Sequence, residues 1–243
     1  MRLAVAATAP LGADVLELLA ATHEIAFLLT RPDAPRGRGR KLAAPPAKET
    51  AEQLGIVVHQ PAKPELPSDV DVVVVCAYGL YIPPRLLERA LWVNVHPSLL
   101  PRWRGAAPVE RAILAGDELT GVTIHRTIAE LDAGAVYARS AEIAARLLDD
   151  VLPEPTFVPQ PEEGATYAEK IGPADRVLDL ADPFDSLRRV RALSPHIGAR
   201  ADLEGRSVTI WQAHIEGARF VPDVVQQDGR RAMSYAEFLR GVK

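Results

Sequence analysis

Asn94 and His96 stand two residues apart in the run Asn94-Val95-His96-Pro97-Ser98-Leu99-Leu100-Pro101. Residues two apart on a strand share a face, so the carboxamide and the imidazole point the same way. At the carboxyl end of a strand in an open α/β sheet, that face borders the edge where ligands sit. A carboxamide donor beside an imidazole can stabilise an oxyanion while the ring moves a proton. Pro97 and Pro101 stiffen the turn that follows. Spacing alone does not decide the matter, because an Asn–His pair at a strand end is more often structural. Further along, Leu131-Asp132-Ala133-Gly134 follows the strand-like segment 121–126. An Asp ahead of a Gly-containing turn is usually a turn-former satisfied by backbone amides. A carboxylate that reached His96 would instead raise the imidazole's pKa and fix its tautomer. Both readings stay open here.

The elements that must position these residues alternate. Residues 3–7, 25–29 and 71–77 read as strands, the last continuously apolar as for a central parallel strand covered on both faces. Residues 13–21, 48–54, 84–90 and 109–115 read as helices, and 92–96 as the strand carrying the Asn–His pair. Residues 30–46 are rich in Pro, Gly and Arg and read as a long loop. The alternation predicts an α/β fold with a doubly wound, mostly parallel sheet. Residues 149–164 hold four prolines and five acids and read as a linker. Beyond it come a helix (183–193), a hairpin around Glu204-Gly205, and a terminal helix opened by the capping box Ser234-Tyr235-Ala236-Glu237. The expected division is therefore 1–148, a linker over 149–165, and a smaller β-rich region over 166–243. So few strands are not expected to bury an independent core, so the second region should dock on the first.

Composition narrows the function. The chain has 243 residues, 48% apolar and 25% charged, ordinary values for a globular protein. No run approaches the roughly 20 apolar residues of a membrane span, and the apolar start is broken at Pro10, so it reads as a strand and not a leader. The lone Cys76 excludes a disulfide framework, fits a reducing cytoplasm, and reads as a small core residue. There is no Gly-rich dinucleotide fingerprint after the first strand, no Walker loop and no nucleophile elbow. The six histidines are dispersed, so no metal site is expected. Net charge is −4, yet residues 31–41 carry five basic residues against the single acid Asp33. Such a protein would not coat nucleic acid generally, but it could offer one cationic finger to a phosphate backbone.

The run from Asn94 through Pro97-Ser98-Leu99-Leu100-Pro101-Arg102-Trp103-Arg104-Gly105-Ala106-Ala107-Pro108, with Gly121-Val122-Thr123-Ile124 and Leu131-Asp132-Ala133-Gly134, resembles the signature of the folate-dependent formyltransferase superfamily. The superfamily's catalytic Asn, His and Asp fall on Asn94, His96 and Asp132. The basic loop 30–42, Ala77-Tyr78-Gly79-Leu80, residues 166–170 and Met233-Ser234 are similar to the methionyl-tRNA formyltransferases within it. That resemblance implies a formyltransferase, Rossmann-like first domain and a truncated, OB-like second one. It implies 10-formyltetrahydrofolate as co-substrate, bound by Tyr78, Gly79, Leu80, Ser98, Leu99, Leu100 and Pro101, with no metal. Initiator methionyl-tRNA is the implied acceptor, with Arg36, Arg38, Arg40 and Lys41 contacting it. A cytoplasmic monomer is expected. Two stretches are shorter than in the family: 132–166, which lacks most of a closing helix, and 216–221, which lacks strands of the second domain.

Overall fold

The computed structural model describes residues 1–36, 40–140 and 156–241. By contacts the chain forms two compact units, one of residues 1–104 and 121–166, the other of residues 105–120 and 167–243. The two-residue strands β8 (Arg104–Gly105) and β11 (Tyr167–Ala168) lie where the chain leaves one unit for the other.

In the first unit the sheet runs β10-β9-β7-β6-β1-β2-β5. These strands are β1 (Leu3–Ala7), β2 (Ile25–Leu29), β5 (Val58–His59), β6 (Val72–Cys76), β7 (Leu91–His96), β9 (Val122–Arg126) and β10 (Val136–Ser140). The five strands from β5 to β7 pair in parallel, and β9 turns the sheet antiparallel at its far side. Strand alternation sorts the core. Leu3, Val5, Ala7, Val72, Val74, Cys76, Val93 and Val95 face helices α1 (Pro10–Ala20) and α2 (Pro46–Gln53). Ala4, Ala6, Val73, Val75 and Trp92 face the opposite layer with Leu66, Ile82 and Leu86. Both faces are covered, which is why β1 and β6 have no polar positions. Gly12 belongs to this packing: a Cβ there would lie 2.5 Å from the Cys76 carbonyl oxygen. Cys76 is fully buried, and burial pushes its thiol up to about 12, as a core residue should behave.

Two local expectations need correction. The helix expected over 84–90 is only α3 (Pro84–Leu87), and the carbonyl of Leu86 within it accepts from Trp92 Nε1 at 2.8 Å. The basic stretch is not all loop, since β3 (Ala34–Arg36) and β4 (Lys41–Ala43) pair as a hairpin with Arg36 opposite Lys41.

The second unit is a four-stranded antiparallel meander, β12 (Ala199–Leu203), β13 (Arg206–Glu216), β14 (Arg219–Gln227) and β15 (Met233–Ser234). Glu204 and Gly205 both take positive φ, 54° and 70°, the two-residue turn that matches strand twist. Gly217-Ala218 closes the β13–β14 hairpin, with Glu216 opposite Arg219. Asp182 caps α5 (Pro183–Leu193) by accepting from Asp185 N at 2.9 Å, and the expected capping box opens α6 (Tyr235–Arg240).

Contrary to expectation, this unit buries a core of its own, with Val190, Leu193, Val208, Ile210, Val225 and Phe238 at its centre. The reason is a borrowed helix. α4 (Pro108–Ala115), which the alternation placed in the first domain, packs Ile113 and Leu114 against this core. Its Arg111 grips Asp175 at 2.8 and 3.0 Å and holds that carboxyl below the usual range.

Candidate active site

Strand pairing builds the site. β7 runs parallel to β6 and antiparallel to β9, in a register that sets Asn94 opposite His125 and His96 opposite Thr123. Residues paired across antiparallel strands project to the same face a few ångströms apart. Four polar side chains therefore meet where the interior of the sheet is otherwise apolar. His96, Thr123 and His125 are buried, whereas Asn94 is only partly so.

The turn after β9 adds the carboxylate. Asp132 lies at φ 50°, in the left-handed region that Asp tolerates better than most residues. It is both the turn-former and the partner of His96: its Oδ2 lies 3.5 Å from His96 Nδ1 and its Oδ1 lies 3.4 Å from His125 Nε2. Asn94 Nδ2 donates to Asp132 Oδ1 and to His125 Nε2, each at 3.1 Å. Backbone carbonyls fix both rings. His96 Nε2 lies 2.8 Å from the Trp103 oxygen and His125 Nδ1 3.0 Å from the Arg126 oxygen. A carbonyl only accepts, so each of these nitrogens carries the hydrogen. The lone pairs of His96 Nδ1 and His125 Nε2 then face Asp132 and Asn94. Burial holds His96 below its ordinary pKa, opposed by the Asp132 carboxylate and the Trp103 carbonyl. Gly134 is required here, because a Cβ would fall on the Arg126 carbonyl oxygen that orients His125.

His125 is absent from the candidates that the sequence supplied. A signal existed: Thr123 and His125 repeat the two-residue polar spacing of Asn94 and His96, alternating with the partly buried Val122 and the buried Ile124. Only the register reveals that the two pairs face each other. The dispersal of histidines along the chain likewise concealed that His96, His125 and Asp132 bring donor atoms within 4.8 Å of one another, a group able to hold a metal ion. Two of those three already receive hydrogens from Asn94.

The residues expected at the folate site come from two neighbouring strand ends. Ser98, Leu99, Leu100 and Pro101 follow β7 and are pinned by Thr123, whose hydroxyl donates to the Ser98 carbonyl at 2.7 Å and accepts from Leu100 N at 3.0 Å. Ser98 Oγ in turn donates to the Arg102 carbonyl at 2.7 Å. Tyr78, Gly79 and Leu80 follow β6, where Thr8 Oγ1 donates to the Tyr78 carbonyl at 2.8 Å. Tyr78 is buried, its hydroxyl has no partner among the described residues, and burial pushes its pKa up to about 12.

The four cations of the expected RNA contact are placed less fully. Arg38 lies outside the described residues, and of Arg36 only the backbone in β3 is described. Arg40 and Lys41 are exposed. Asp33 is taken by Gln60 at 2.7 Å and Lys48 at 2.9 Å, which lower its pKa.

Residues 1–149 match the formyl transferase family model. A methionyl-tRNA formyltransferase of Novosphingobium aromaticivorans is 39% identical, with 99% of this chain and 97% of that protein covered. One of Chromobacterium violaceum is 40% identical over 93% of this chain and 84% of that one. Among solved structures, the methionyl-tRNA formyltransferase of Clostridium thermocellum shares the fold at a TM-score of 0.60 and 15% identity, covering 93% of this chain and 98% of that one. HypX of Aquifex aeolicus, solved with tetrahydrofolic acid, does so at 0.69 and 17%, with all of this chain matched to 47% of that one. With the sheet, the spaced motifs and the Asn–His–Asp cluster in agreement, the chain belongs to the formyl transferase family, among the methionyl-tRNA formyltransferases.

Proposed function

We propose that this chain transfers the formyl group of 10-formyltetrahydrofolate to the free amino group of initiator methionyl-tRNA. The observation that carries the reading is the convergence of Asn94, His96 and Asp132 at one strand end, with both imidazoles fixed by backbone carbonyls. The turn after β6, with Gly79 exposed at φ 74°, lies at the strand end next to the one that carries Asn94 and His96, and that placement supports a folate subsite there.

The chemistry follows from the donors and acceptors. The attacking amine must be neutral; an α-amino group has a pKa near 7.7–8.0, and the ester of an aminoacyl-tRNA lowers it. As nitrogen bonds to the formyl carbon, the carbonyl electron pair moves onto oxygen. Asn94 meets that oxyanion by turning one of its two N–H groups from His125 or Asp132. The proton leaving the amine is received between His96 Nδ1 and Asp132 Oδ2, two acceptors 3.5 Å apart. The cationic imidazole so formed stabilises the oxyanion. A proton passes to N10 as the C–N10 bond breaks, leaving tetrahydrofolate and the formylated amine. The hairpin cations hold the RNA backbone away from this chemistry.

The test is formyl transfer from 10-formyltetrahydrofolate to charged initiator tRNA, run beside glycinamide ribonucleotide and an amino-sugar nucleotide. Transfer to the tRNA is expected. Transfer to a small amine alone would overturn the acceptor, and no transfer to any of them would overturn the reaction.

A further inference from the structure

The geometry points to Gln160 as a positioning residue for the reaction: its carboxamide clamps the turn that presents Asp132. The clamp lies in the Pro- and acid-rich stretch that reads as linker. Gln160 Nε2 donates to the Asp132 carbonyl at 2.8 Å and to the Gly134 carbonyl at 2.7 Å, using both of its hydrogens on either side of Ala133. Its Oε1 accepts from Arg104 Nε at 3.2 Å. Arg104 is itself buried and directs its outer nitrogens to Glu162 at 3.2–3.4 Å. The amide therefore cannot rotate without losing three bonds, and its orientation is chemically determined.

Neighbouring residues hold Gln160 in place. Val158 exchanges backbone hydrogen bonds with Val136 at 2.6 and 2.7 Å, and Phe157 packs on the sheet core. The same stretch ends at Thr166, whose hydroxyl accepts from Trp103 N at 2.9 Å. Trp103 has φ 66°, and its carbonyl is the one that orients His96. Residues 157–166 thus back both halves of the site, the Asp132 turn through Gln160 and the His96 ring through Trp103. Asp132 at φ 50° is a conformation held by its surroundings. Two donors on the carbonyls flanking the turn are what hold it.

This inference rests on the formyl-transfer reading, and its test separates the two. Gln160→Met keeps length without polarity or charge; Gln160→Glu keeps volume and the acceptor for Arg104 but loses both donors. Each variant should lose about 10²-fold in kcat, the scale of a 1 Å misplacement. KM for 10-formyltetrahydrofolate should stay close to the parent's, and melting should remain cooperative. The readout that a merely structural role would not move is the His96 pKa, followed by NMR without substrate. The groups facing that ring are Asp132, His125 and the Trp103 carbonyl. In the Met variant the carboxylate retreats while nothing charged replaces it, so the His96 pKa should fall below the parent's. An unchanged kcat in the Glu variant, or an unmoved His96 pKa in the Met variant, overturns the clamp. If Gln160→Met does not fold, the Glu variant's kcat decides. A parent that transfers no formyl group sinks the functional reading and leaves the clamp to be judged on the His96 pKa.

Discussion

The end of β7 and the β3–β4 hairpin both carry polar side chains expected to meet substrate, and they are built in opposite ways. At β7 His96, Thr123 and His125 are buried and Asn94 partly so, hydrogen bonds fix the Asn94 amide nitrogen and both rings, and positions follow from sheet register. In the hairpin, Arg40, Lys41 and Leu42 are exposed, and Asp33 is bound by Lys48 and Gln60 outside the turn. The difference fits the two tasks. Transition-state charge is stabilised by dipoles that need not reorganise, which requires burial and fixed partners. A phosphate backbone is held by exposed cations through a field that salt screens.

The comparison breaks most sharply at the buried end. Asn94→Ala, His96→Ala and Asp132→Ala should each lower kcat by about 10²-fold or more with the fold retained. Double mutants should lose much less than the product of the singles, because the three act on one intermediate. Near-parental turnover in His96→Ala would remove the ring from the mechanism. At the exposed end, replacing Arg36, Arg38, Arg40 and Lys41 with Ala should leave folate binding intact and raise KM for charged tRNA. The slope of log affinity against log salt should flatten by up to about 3, since each phosphate contact contributes ~0.7–0.9. An unaltered slope would take RNA out of the hairpin's role.

Stability should separate the two regions as well. Gly134→Ala drives a methyl group into the Arg126 carbonyl and should cost about 1–3 kcal/mol, the range for overpacking a filled site. Leu42→Ala, at a side chain 70% exposed, should stay within about 0.5 kcal/mol. The pH dependence should differ too. His96 is held below its ordinary value of 6.5, so the unfolded chain binds the extra proton first. Its contribution is complete above about pH 6.5 and is lost as pH falls from there towards the folded value. Denaturant midpoints should drop more steeply with acid in the parent than in His96→Asn; parallel curves would show that the ring is not held neutral.

Much of this was readable along the chain because it is local. The apolar runs of β1 and β6, the Asn94–His96 spacing, the Ser234 cap and the Glu204-Gly205 turn depend on residues a few positions apart, and the periodicities of strand and helix carry that information. Contacts between distant residues were not readable. His125 meets Asn94 across 31 residues and Gln160 reaches the Asp132 carbonyl across 28, and neither has a fixed sequence interval. α4 shows the same limit: its amphipathic pattern declares a helix, but the pattern is satisfied by either core, and the fold assigns it to the second. The amino-acid sequence by itself determined which faces must be buried and which side chains share a strand face. Only the tertiary structure decided which distant strand supplies the facing residue, because register is set by the packing of the whole sheet, and a one-residue slip would turn His125 to the other side.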